Sequence, residues 1–60
     1  MRYVIYFTWA NDGFEDSFNI DNAKERNMNI SEMIARKEFS SISYCPIYAS
    51  GEYGKRKKVL

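Results

Sequence analysis

The 60-residue chain has no histidine, one cysteine, one proline and three glycines. Without imidazole it lacks the commonest general base and metal ligand at neutral pH. The single thiol, Cys45, cannot close a disulfide within the chain or supply a cysteine-rich metal centre. No histidine is present to activate it as a nucleophile, and Pro46 constrains the adjoining backbone, so Cys45 reads as a buried structural thiol. No stretch approaches the roughly 18 consecutive apolar residues of a membrane-spanning helix. The apolar run at 1–9 is interrupted by Asn11, Asp12 and Gly13 before any small-residue cleavage pattern, so no secretory leader is expected. These absences lead to the expectation of a cytoplasmic, non-enzymatic chain with no membrane partner, no cofactor, no metal and no catalytic residues.

Charge of one sign is lacking too. Nine lysines and arginines stand against eight acids, leaving a net charge of +1, so no global field draws the chain to polyanions. What is abundant is apolar and aromatic material, 45% and 17% of the residues, which separates this chain from disordered sequences. Surface scaling for a chain of this size gives about 4,100 Å² of folded surface, with about 60% of the unfolded surface buried. A single small domain over residues 1–60 with a marginal core is expected.

The span 2–10 is dense in β-branched and aromatic residues and predicts a strand. Alternation puts Tyr3, Ile5, Phe7 and Trp9 on one face and Val4, Tyr6, Thr8 and Ala10 on the other. Both faces carry apolar bulk, so the strand is expected to be central, with the Val4 side partly exposed or covered by a partner. Asn11-Asp12-Gly13 predicts a tight turn. A second strand follows over about 14–20, with Phe14, Phe18 and Ile20 on its apolar face and Asp16 as the polar exception there.

Asn22 and Glu25 form a capping-box pair at the start of a helical segment. Asn29 or Ser31 offers a second cap before the stripe Ile30, Met33, Ile34 and Lys37, which leaves one bent helix or two short ones. Phe39 is expected to close the core. Alternation returns at 40–45, with Ile42 and Tyr44 on one side and Ser41, Ser43 and Cys45 on the other. Pro46 marks an edge or bulge. Ser50 and Gly51 read as a turn, and 52–60 as a returning strand weakened by Gly54. The fold class is therefore α+β, a small β-β-α-β-β domain whose antiparallel or mixed sheet carries a helical segment on one face.

Functional expectations follow from what this chemistry permits. The acids Asp12, Glu15, Asp16 and Asp21 lack the spacing of a calcium loop and read as solvated hairpin residues. The preferred reading is a protein-interaction module, a small regulatory adaptor or inhibitor that also has the means to self-associate. Its expected interface residues are Val4, Tyr6, Tyr44, Tyr48 and Tyr53, and its expected partner is another protein or a second copy of the chain. The alternative is nucleic-acid binding through Arg2, Lys55, Arg56, Lys57 and Lys58, with exposed tyrosines stacking on unpaired bases. Against that alternative, a strand through 55–58 sends alternate cations to opposite faces, and edge lysines also serve to discourage outward pairing.

Overall fold

The computed structural model describes all 60 residues. Five elements follow in the order β1 (Arg2–Trp9), β2 (Glu15–Ile20), α1 (Ala23–Arg36), β3 (Phe39–Ile47) and β4 (Lys57–Lys58). They build an α+β fold with one antiparallel sheet of order β2-β1-β3-β4. Its accessible surface, 4253 Å², is close to the size expected from chain length alone.

β1 and β2 are joined by a turn whose polar groups are satisfied locally. Gly13 takes φ +77° and donates its amide to the Trp9 carbonyl at 2.9 Å, while the Phe14 amide donates to Asp12 Oδ1 at 3.0 Å. β2 begins at Glu15 rather than at Phe14, whose ring is 71% exposed. Phe14 therefore does not join Phe18 and Ile20 on the packed face, because the turn geometry carries it past the last covered position.

The helix is a single uninterrupted segment, which resolves the choice left open by the sequence. Asn22 Oδ1 accepts from the Glu25 amide at 2.9 Å, as the capping pattern predicts. Asn29 does not cap a second helix. It lies within the first, and its Nδ2 donates to the Glu25 carbonyl one turn earlier at 2.8 Å. Lys37 ends the helix in the left-handed region at φ 56°. Ile30 and Met33 are buried, whereas Ile34 lies at the margin of the packed stripe and is exposed.

α1 rests on β1 and β3, closing a core of Ile5, Ile30, Met33, Phe39 and Ile42. Phe39 reaches that core through an irregularity in the ladder. Thr8 pairs with Ser41 but Trp9 pairs with Phe39, so Ser40 is the extra residue of a bulge. Strict alternation back from Ile42 places Ser40 on the core side, and the added residue brings Phe39 there instead. Pro46 is tolerated inside β3 for a related reason. Its carbonyl accepts from the Gly54 amide at 2.9 Å, so the position where its amide would be faces the β4 side, and the ladder to β1 loses nothing.

The opposite face of the sheet corrects the expectation for Val4. That side chain is only 3% exposed, and Cys45, its partner in register, only 1%. Part of this face is covered by the chain's own C-terminal segment. Arg56 lies with its guanidinium carbon 3.4 Å from the centre of the Tyr6 ring and reaches on to Glu15. The returning strand is also shorter than expected. It consists of β4 and an isolated bridge between Ile47 and Tyr53, and after the Gly54 bond to Pro46 the residues 55–56 leave the ladder.

Candidate functional site

The residues singled out by sequence fall into three environments. Val4 and Tyr6 belong to the covered face. The Tyr6 hydroxyl lies 3.8 Å from Cys45 Sγ, and both guanidinium Nη atoms of Arg56 donate to Glu15, each at 3.3 Å. Burial pushes the Tyr6 phenol above its ordinary value of 10.0, and the thiol beside it adds to the rise, while Arg56 opposes it. The hydrogen bond to Glu15 raises the Arg56 guanidinium further. These side chains form a clasp between the C-terminal segment and β1 and β2. Val4 in this state offers no surface to a partner.

Tyr44 is held on the helix side. Arg26 of α1 places its guanidinium carbon 4.6 Å from the Tyr3 ring centre and 4.5 Å from that of Tyr44. The two rings meet edge to face at 6.1 Å. Cation–π and aromatic packing within the chain thus engage the Tyr44 ring that the sequence reading offered to a partner.

Tyr48 and Tyr53 are 45% and 59% exposed. A tight turn sets them on either side of residues 49–51. The Tyr48 amide donates to the Glu52 carbonyl at 2.8 Å, and the Gly51 amide returns a bond to the Tyr48 carbonyl at 2.8 Å. Gly51 accepts φ +88°, which an L side chain adopts only with strain. Pairing of Arg2 with Ile47 brings Met1, 68% exposed, to the same end of the sheet. The bridge from Ile47 to Tyr53 brings Tyr53 to that end as well. A shallow depression of about 460 Å³ lies there, lined by Met1, Arg2, Ile47, Tyr48, Ala49 and Gly51. Met1 and Ile47 were missed by sequence reasoning, because only the β1–β3 register brings residues so distant in sequence together.

Gly54 allows the segment that follows to fold closely against β3. A Cβ there would stand 2.6 Å from Pro46 Cγ and 2.7 Å from the Tyr48 hydroxyl, closer than side-chain carbons approach. The glycine was the one sequence signal of the arm carrying Arg56, but alternation alone read it as a weak point in a strand.

The cationic residues are likewise divided. Arg2 lies 4.0 Å from Asp21, and Arg56 is committed to Glu15. Lys55, Lys57 and Lys58 make no ion pair within 4.0 Å and are exposed. Opposite Tyr44 and Ser43 in register, Lys57 and Lys58 point to different faces. No three His, Cys, Asp or Glu side chains converge to hold a metal ion, and no helix is long and apolar enough to cross a membrane. Comparison with known protein families, with curated proteins and with solved structures finds no match to this chain.

Proposed function

We propose that this chain is a non-enzymatic protein-interaction module, an adaptor or inhibitor that docks through the end of the sheet carrying Met1, Ile47, Tyr48 and Tyr53. The observation supporting it is one shallow depression lined by exposed Met1 and Tyr48, with exposed Tyr53 bridged to Ile47 of that lining. Tyrosine and methionine are enriched in interfaces because they bring large contact area, and a phenol keeps a polar tip for the rim. The hydrogen-bonded turn fixes the backbone between the two tyrosines before a partner arrives, which lowers the backbone ordering cost of association.

Affinity capture with the wild-type chain, beside a chain carrying Tyr48→Ser and Tyr53→Ser, tests this reading. Specific protein capture that disappears with the double substitution, while Phe14→Ser leaves it intact, is the expected result. An invariant monomer that captures no protein, or one whose captured proteins are indifferent to both tyrosines, overturns it.

Nucleic-acid binding is the second reading, supported by the free lysines Lys55, Lys57 and Lys58. It ranks lower because Arg2 and Arg56 already have carboxylate neighbours. If it holds, neutralising Lys55 and Lys57 weakens binding across all sequences without creating base preference.

A further inference from the structure

β2 is an edge strand, and the groove beside it on the helix side is uncovered. Because α1 rests on β1 and β3, a depression of about 230 Å³ remains between it and β2. Phe7, Trp9, Phe18, Met33 and Phe39 line its apolar part. That is smaller than the roughly 300–1,000 Å³ of small-molecule sites and suits side chains projecting from an adjoining strand. In an antiparallel ladder alternate residues direct both backbone groups to the neighbouring strand. The Phe14 carbonyl accepts from Trp9, so Asp16, Phe18 and Ile20 face β1 with their backbone groups. Glu15, Ser17 and Asn19 therefore turn theirs outward.

The charge along this edge has one sign available. Asp16 shares the helix-side face with Phe18, and Glu32 lines the groove from the opposite wall. Neither makes an ion pair within 4.0 Å. Arg36 also lines the groove but is paired with Glu38 at 2.6 Å, and Arg56, which reaches β2, is paired with Glu15 at 3.3 Å. One outward amide is also occupied by a side chain, since Ser17 N–H donates to Asp16 Oδ1 at 2.8 Å.

We infer that the β2 edge is a docking site for an extended cationic segment of a partner protein, which adds to the sheet as a further strand. An apolar residue of that strand beside Phe18 enters the groove, and a lysine or arginine two positions away lies beside Asp16. The cation draws the Asp16 carboxylate off Ser17 N–H and releases that amide to the incoming backbone. In the empty edge the same carboxylate covers the amide and disfavours pairing with strands of the wrong charge. This site is separate from the Tyr48 and Tyr53 surface and does not depend on it.

The single tryptophan, Trp9, lies in the groove and reports its occupation. The probe is an end-blocked extended peptide that carries leucine and lysine two positions apart on one face, with threonine at the intervening positions. We expect a saturable change in Trp9 emission and slowed amide exchange at Glu15, Ser17 and Asn19. A peptide with glutamate in place of lysine should bind about tenfold more weakly or worse, and added salt should weaken the lysine peptide. Asp16→Asn keeps an oxygen able to cap Ser17 but removes the charge, and should reduce lysine-peptide affinity about fivefold. Tyr48→Ser with Tyr53→Ser should leave it unchanged, so failure of the proposed function and failure of this site are distinguishable. The inference is overturned if Trp9 emission does not respond at millimolar peptide, or if a peptide methylated at alternate backbone nitrogens binds equally well. Binding indifferent to Asp16→Asn overturns it as well, as does protection of the β2 amides by self-association without peptide.

Discussion

The two faces of this sheet are closed by different physics. On the helix side, α1 lays Ile30 and Met33 over Ile5, Ile42 and Phe39, so cohesion there comes from apolar area removed from water and from dispersion. On the other side Val4 and Cys45 are just as inaccessible, yet the visible fastening is polar. It consists of a guanidinium over the Tyr6 ring, two hydrogen bonds to Glu15 and a weak thiol–phenol contact. Low accessibility by itself therefore does not distinguish a packed core from a face sealed by an arm. What distinguishes them is how each responds when one contact is removed.

The largest expected difference comes from paired truncations. Ile42→Ala, at a fully buried position beneath the helix, should lower unfolding free energy by about 2–5 kcal/mol. Val4→Ala on the other face should cost about 2 kcal/mol, since fewer methyl groups are lost and the arm is freer to settle onto the space. Denaturant titration of both variants measures the contrast, and equal losses would show that the second face is packed as firmly as the first.

A smaller effect on the fold, but a specific one on access, is expected from Arg56→Ala. It removes the clasp on Tyr6 and Glu15 while leaving the helix-side core untouched. The thiol of Cys45, free and buried, should then react with an uncharged thiol reagent several-fold faster with little change in melting temperature. An unaltered labelling rate would mean that Arg56 does not hold the cover closed.

The smallest effect is alkaline. The folded protein keeps the Tyr6 proton above the ordinary phenol value of 10.0, so the folded state binds more protons than the unfolded state in that range. The stabilising contribution is complete below pH 10 and is lost as pH rises through the raised folded value. Spectrophotometric titration should find Tyr6 ionising later than an ordinary phenol, and Tyr6→Phe should remove that late component and its share of the alkaline loss of stability.

The readable parts of the fold were those with local causes. Period-two alternation gave β1 and most of β2, the Asn22 to Glu25 spacing gave the start of α1, and Gly13 and Gly51 marked turns that take positive φ. The candidate site was only partly readable. Residue type and strand facing named Tyr48 and Tyr53 in one set with Val4, Tyr6 and Tyr44, and the folded chain covers or engages the last three itself. The Ser40 bulge escaped alternation because one inserted residue reverses the facing of everything before it.

The sequence by itself determined the α+β class, the order of elements and the want of histidine-based chemistry, because propensity, capping and composition act within a few residues of their cause. Tertiary structure alone decided that Arg56 crosses to Glu15, that Met1 stands beside the 48–51 turn, and that β2 is left as an open edge next to an aromatic groove. These depend on strand order and register, where residues some 40 apart in sequence meet only after loop closure has been offset by the contacts they make.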